Sequence, residues 1–425
     1  MSKVRLYDVV DINKSTFKLN NIYQYIYYLD TANITKNTIS AIQKLYIKKD
    51  IIPSRAKRAV SSNTIVYSSV RPNLCHFGIL SEVPSNMVVS TGFITLDVKN
   101  NKIDPYYLFY LITTKDKVNY ITNIANTSVS SYPSITPEIL GNMEIEIVDN
   151  ICIQKQIGNL LSNIDKKIEL NNKINDELEA MAKTIYDYWF LQFEFPNEED
   201  KPYKSSGGKM VWNEELKREI PEGWEVKTLE KYISIIRGVN YKKDDILSNK
   251  EINYIPLIKS NNIQNGKILF DDIIFVSSNV VNKNQFLDKN SILMTMSSGS
   301  KEHMGKTTII YDSLDYTFGA FCSKIEITED MRCFLSIFFR NDLFKTLINN
   351  ITSGTNINNI NNEQLYNIKI TIPNKKVLQK FENIFNPILD KQGIIQKENQ
   401  ELTSLRDFLL PLLMNGQVGF KEDKA

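Results

Sequence analysis

A chain of 425 residues is too long for one ordinary core, so two or more domains are expected. Hydrophobic content of 42% with 10% aromatic describes a folded globular protein, and no run of 18 apolar residues suggests a membrane span. A formal charge of only +2 excludes a uniformly basic nucleic-acid carrier, so any such contact has to come from local clusters.

The four cysteines (Cys75, Cys152, Cys322, Cys333) form no C-x-x-C pair, and the histidines are only His76 and His303. Neither a zinc site nor a disulfide framework is expected. The opening MSKVRLYDVV lacks an apolar h-region, so the expectation is a cytoplasmic protein.

Residues 1–148 predict a mixed α+β domain with many short strands. Apolar runs at Ile22–Leu29, Thr64–Val70, Met87–Leu96 and Met143–Val148 alternate with turns rich in Asn and Ser. One helix is expected over Tyr106–Tyr120, started by Asp104-Pro105.

From Gln154 to Phe190, Ile157, Leu161, Ile164, Ile168, Leu178, Ala182, Ile185 and Trp189 recur at steps that fit a helical seam of coiled-coil type. Such a rod is roughly 55 Å long at about 1.5 Å per residue and needs a partner helix. Asn171 and Asn175 interrupt the seam midway, and Tyr186, Tyr188, Trp189, Phe190, Phe193 and Phe195 end it at Pro196. Aromatics this dense at a helix end predict a packed plug at a domain junction in preference to base stacking. Residues 149–196 are therefore a helical region, and the charged, Ser/Gly-rich stretch 197–223 a linker.

From Trp224 the chain repeats. Leu6 matches Leu229, 223 residues later, while Ile135, Glu138, Leu140, Met143, Ile145 and Ile147 match Ile360, Glu363, Leu365, Ile368, Ile370 and Ile372 at a shift of 225. Domain and rod are thus duplicated: residues 224–373 form a second domain, 374–416 a second helical region and 417–425 a tail. The second rod, Lys376–Met414, carries Phe381, Phe385, Ile388, Ile395, Leu402, Leu405, Leu409 and Leu412 on its seam, with Gln392 and Asn399 near its middle. Pro387 is expected to kink it and Pro411 to end or distort its last turn. The two rods are expected to pair antiparallel as a spacer, with the globular domains related by a pseudo-twofold axis. Its length exceeds one turn of B-DNA, about 34 Å, so two domains on it suit two short DNA segments.

Three motifs carry a family resemblance: the run Tyr186 to Pro196, the segment Pro202-Tyr203-Lys204-Ser-Ser-Gly-Gly-Lys209-Met-Val-Trp212, and Ile220-Pro-Glu-Gly-Trp-Glu-Val226. With the closing Leu409 to Gly416, they resemble the specificity subunit of type I restriction-modification systems over essentially the whole chain. The first domain departs from the pattern in lacking the Pro-Glu-Gly-Trp lead-in of the second. The resemblance implies two target-recognition domains, each reading half of a split DNA site, and helical regions that bind two methyltransferase subunits and, in cutting complexes, restriction/translocase subunits. It further implies a non-catalytic chain with no cofactor of its own, S-adenosylmethionine, ATP and magnesium belonging to partners.

The residues agree with a chain that does no chemistry. An adenine methyltransferase of the flipping type needs an Asn/Asp-Pro-Pro-aromatic motif, and the sequence has no Pro-Pro. Gly299 to Thr307 imitates a phosphate loop, but five residues separate Gly299 from Gly305 where the motif needs four, and a strand is expected after it in place of a helix.

Candidate DNA contacts lie in loops that mix cations, which meet phosphates, with amides and hydroxyls, which read base edges. In the first domain these are Lys36, Lys57, Arg58, Arg71, Asn73 and the Thr127–Tyr132 loop with Ser130 and Tyr132. In the second they are Lys259, Asn261, Asn262, Ser298, Lys301, His303 and the Ser353–Asn359 loop with Thr355, Asn356 and Asn358. Each has a plainer alternative: a lysine merely solvated, Arg71 paired with a buried carboxylate, His76 satisfied in a core. The other reading of the whole chain is a coiled-coil scaffold whose domains bind protein.

Overall fold

The computed structural model describes the chain except residues 19–22, 100–101, 128–131, 248–252, 271, 354–358 and 420–425, and the side chains of Lys301 and Ser353. Two compact units result, residues 1–171 with 398–425 and residues 172–397. Each is described by itself.

In the first unit, strand Ser2–Arg5 pairs antiparallel with Glu144–Ile147, placing Val4 opposite Ile145. The sequence Glu-Ile-Glu-Ile dictates the orientation, because period-two alternation buries Ile145 and Ile147 and leaves Glu144 and Glu146 in water. Two four-stranded sheets follow. One runs Val10–Ile12, Phe93–Val98, Thr64–Ser68, Phe77–Leu80, all antiparallel. The other runs Gln43–Tyr46, Tyr25–Leu29, Met87–Ser90, Ala56–Ala59, with one parallel pair between Tyr25–Leu29 and Met87–Ser90.

Thr64–Ser68 is buried on both faces, which explains its continuous apolar run. Ile65 and Tyr67 point into the core built with helix Pro105–Ile112, whereas Val66 points into the core shared with Leu29, Val89 and Phe93. The expected single strand Met87–Leu96 is two strands, parted by the turn Thr91-Gly92. The expected helix Tyr106–Tyr120 is likewise two helices, Pro105–Ile112 and Lys115–Asn126. Asp104 caps the first by accepting from the Tyr107 amide at 2.9 Å. Thr113 and Thr114 end it, their hydroxyls donating back to the carbonyls of Phe109 (2.7 Å) and Leu111 (3.1 Å).

The second unit repeats this order. Glu225–Thr228 pairs with Lys369–Ile372, and a four-stranded antiparallel sheet runs Ile233–Arg237, Cys322–Ile327, Ile292–Thr295, Thr307–Ile309. Its second sheet again has one parallel pair, Tyr254–Ile258 with Leu314–Phe318, and gains an edge strand, Ile246–Leu247. Helices Arg332–Phe338, Asp342–Ser353 and Asn362–Tyr366 take the places of Pro105–Ile112, Lys115–Asn126 and Pro137–Gly141. The duplication read from a few matched residues is a duplication of topology.

The first long helix is Ile151–Tyr186, 36 residues or about 54 Å, ending in a π-helical turn, Asp187–Leu191. The second is Lys375–Met414, 40 residues or about 60 Å. It runs through Pro387 and Pro411, so neither proline ends it. Pro387 deprives the Asn383 carbonyl of its helical donor, but Phe381, Phe385 and Leu389 bury around that point and offset the loss.

The helices pair antiparallel in each unit, and the polar seam residues meet one another. In the first unit Asn171, 2% exposed, donates to Asn399 at 2.9 Å and Glu398 at 2.7 Å. In the second, Gln392, also 2% exposed, donates to the Asn175 carbonyl at 3.3 Å. Such pairs fix register, because a one-turn slip would leave buried amides unpaired.

A second polar clamp joins three elements of the first unit. Arg406 donates to Asp165 at 2.8 Å, and Asp165 accepts from the Tyr110 phenol on helix Pro105–Ile112 at 2.5 Å. Burial, with the Asp165 carboxylate beside it, pushes the Tyr110 phenol upward, so it stays a donor. Arg406→Ala strands the largely buried Asp165 charge and should cost about 2–3 kcal/mol. Chemical unfolding followed by far-ultraviolet circular dichroism measures this; a loss under 0.5 kcal/mol would show the clamp to be idle.

In the second unit the end of the first long helix is an aromatic plug. Phe190 lies 4.7 Å from Phe381 and 4.8 Å from Phe334 between ring centroids, and Phe195 stacks between Tyr203 (4.5 Å) and Trp224 (5.0 Å). The Ser/Gly-rich stretch after it is folded, with a hairpin of Met210–Asn213 and Arg218–Pro221. Among the described residues no helix is long and apolar enough to cross a membrane.

Candidate DNA interface

In the first unit three of the expected loops come together. Lys36, exposed and at φ 46°, turns the hairpin of Ile34–Thr35 and Thr38–Ile39, and its amide donates to the Cys75 carbonyl at 2.8 Å. Arg71 and Cys75, at φ 48° and 55°, bracket the short turn Pro72–Leu74, a backbone that costs energy for side chains with a Cβ. The Arg71 amide donates to Pro133, and Val70 bridges Ser134, which brings the loop containing Tyr132 alongside. The result is a rim presenting Lys36, Arg71, Asn73 and Tyr132, all exposed.

Arg71 is exposed and has no ion pair with a carboxylate among the described residues, unlike the buried pairing that was its alternative. His76 follows its plainer alternative, half-buried with Nδ1 at 2.7 Å from the Ile34 carbonyl. Lys57 is exposed on strand Ala56–Ala59, while Arg58 bridges Thr16 in a half-buried site that lowers its guanidinium pKa and leaves its Nε buried without a partner. Ser130 lies outside the described residues.

The second unit builds the same rim from different side chains. Ser297 bridges Asn359 as Val70 bridges Ser134, and the Ile360 amide donates to Met296 as Ile135 does to Ser69. The Gly319 amide donates to Ile258, setting the turn after Leu314–Phe318 next to Lys259. Lys259 and Ser298 are half-buried, and Asn261 and Asn359 exposed. His303 is exposed in the turn Lys301–His303, its Nδ1 2.6 Å from the Lys306 ammonium and thus accepting. After this turn comes strand Thr307–Ile309, so the phosphate-loop imitation has no helix to offer.

One candidate is corrected. Asn262 is 3% exposed, its carbonyl oxygen accepts from the Lys259 amide at 2.9 Å, and its NH2 donates to Leu269 at 2.9 Å. Both ends of this amide hold the turn, leaving nothing to read a base. Thr355, Asn356 and Asn358 lie outside the described residues, as does the side chain of Lys301.

The strand-parting turn at the rim was not anticipated. In the first unit it carries Gly92, whose carbonyl accepts from the Ser69 amide; in the second, Phe321, whose carbonyl accepts from the Met296 and Ser297 amides. Phe321 is 63% exposed. The two turns stand 229 residues apart, so the 225-residue shift alone does not align them.

Comparison with known proteins agrees with this architecture. Residues 1–180 and 221–404 match the family described as type I restriction modification DNA specificity domain. The chain is 24% identical over 474 residues to the type I restriction enzyme HindI specificity subunit of Haemophilus influenzae, covering 98% of this chain and 100% of that one. It is 31% identical over 204 residues to the EcoKI specificity subunit of Escherichia coli, covering 47% and 44%. Among solved structures, the type I restriction-modification S subunit from M. genitalium shares the fold with a TM-score of 0.55 at 18% identity, over 97% of this chain and 95% of that one. With duplicated sheets, paired long helices and a family match over most of its length, the chain belongs to the type I restriction-modification DNA specificity family.

Proposed function

We propose that this chain is a non-catalytic reader of a bipartite, asymmetric DNA target, with residues 1–148 and 224–373 each reading one half. The observation that carries the proposal is the rim built twice: equivalent loops meet through equivalent backbone bridges, Val70 to Ser134 and Ser297 to Asn359, yet present different side chains. A duplicated frame with diverged tips suits two half-sites of different sequence. The long helices would dock two adenine-N6 methyltransferase subunits and, in complexes that cut, restriction/translocase subunits. S-adenosylmethionine, ATP and magnesium would then be held by those partners.

On this reading Lys36, Lys57, Arg71 and Lys259 meet phosphates or guanines, while Asn73, Tyr132, Asn261, Ser298 and His303 meet base edges or sugar-phosphate. Affinity for a duplex carrying the target should fall steeply with salt, because each neutralised phosphate releases counterions. Arg71→Ala should weaken binding about 5- to 150-fold, or relax one half-site by as much. Fluorescence anisotropy of the assembled complex on labelled duplexes at several salt concentrations tests both. Salt-insensitive binding without sequence preference would favour a protein-binding scaffold instead.

A further inference from the structure

We propose that Phe321 is an apolar reader of the second half-site, contacting the C5-methyl group of a thymine in the major groove; the assignment rests on reading the second unit as a DNA-recognition domain. A solitary exposed apolar side chain is ordinary on a protein surface. Phe321 is set apart by the rigidity of its turn and by its place.

The turn is pinned on every side. The Gly319 amide donates to Ile258 (2.9 Å), the Ala320 amide to Val239 (2.9 Å) and the Cys322 amide to Gly319 (2.8 Å), while the Phe321 carbonyl accepts from Met296 (2.8 Å) and Ser297 (3.1 Å). Gly238 allows this closeness, since a Cβ there would lie 2.2 Å from the Gly319 oxygen. A backbone so held fixes where the ring is presented, which lowers the ordering cost of a contact made with it.

The surroundings point to nucleic acid. Lys259 follows Ile258, Ser298 follows Ser297, and Asn359 bridges Ser297, so the ring stands in a rim of one cation, hydroxyls and an amide. On the major-groove edges of the bases the thymine methyl is the apolar group, and apolar side chains contact it. The equivalent place in the first unit is Gly92, where even a Cβ would lie 2.9 Å from Thr31 Cγ2. The second unit thus presents an aromatic ring at a position where the first has no side chain.

The test uses the full chain assembled with its methyltransferase partners, on duplexes enriched by the wild-type complex from a randomised library. Thymines of the second half are replaced singly by deoxyuridine, which lacks only the methyl. At one position wild-type affinity should fall about fourfold, the value of one buried methyl. Phe321→Ser should bind the thymine and uridine duplexes alike, Phe321→Leu should keep the discrimination, and both should keep wild-type preference at the other positions of the second half, which shows that the second unit is folded. A second half without thymine, or a methyl dependence unchanged in Phe321→Ser, would overturn the assignment. Equal weakening of Phe321→Ser on every sequence would also overturn it, as the mark of a wedge between base steps. Failure to enrich any sequence would overturn it too, but through the DNA-reading proposal itself.

Discussion

Phe381→Ala is expected to destabilise the second unit by about 3–5 kcal/mol, the range for removing a large aromatic from a packed core. Phe381 is fully buried on the second long helix, its ring 4.3 Å from Phe385, 4.7 Å from Phe190, 5.5 Å from Trp189 and 6.2 Å from Tyr186. The lost area and the cavity account for most of the cost, and the edge-to-face contacts add about 0.5–1.5 kcal/mol beyond area. Trp189 and Trp224 lie in this cluster, so intrinsic fluorescence in a urea titration reports on it directly. Phe408→Ala serves as the control, because Phe408 is 66% exposed on the same helix and its loss should stay within about 0.5 kcal/mol. A Phe381→Ala shift below 1 kcal/mol would mean that the aromatic run is not the plug described.

How much of this was legible in the sequence depended on whether the signal was local. The seam Ile157, Leu161, Ile164 is local and periodic, and these residues are buried as a helix demands. The repeat was legible because Ile145 and Ile370 occupy the same strand position, each opposite a residue of the opening strand of its unit. The polar seam pairs were half legible: Asn171 and Gln392 were visible as interruptions, but which amide meets which depends on the stagger of the helices. Asn262 was misread because a turn-holding amide and a base-reading amide have the same composition. The break at Thr113 was missed because hydroxyl donation to a carbonyl one turn back leaves no mark on apolar periodicity. Arg71 and Cys75 look ordinary as residue types; their left-handed backbone follows from the bridges that gather the rim.

Exchanging residues 1–148 for the first recognition domain of another family member should produce a new target with one half changed completely and the other retained. Each unit carries its own sheets, helices and rim, and specificity should travel with the rim. A correct half-site contact is worth about 1–3 kcal/mol per base pair, so over a few positions the exchange shifts preference by orders of magnitude. Sequencing methylated adenines in cells that carry the chimaera as their sole specificity subunit measures it directly. Two modular readers on one chain predict a methylation motif in which only the half assigned to residues 1–148 differs from wild type; a motif changed in both halves, or in neither, would contradict them.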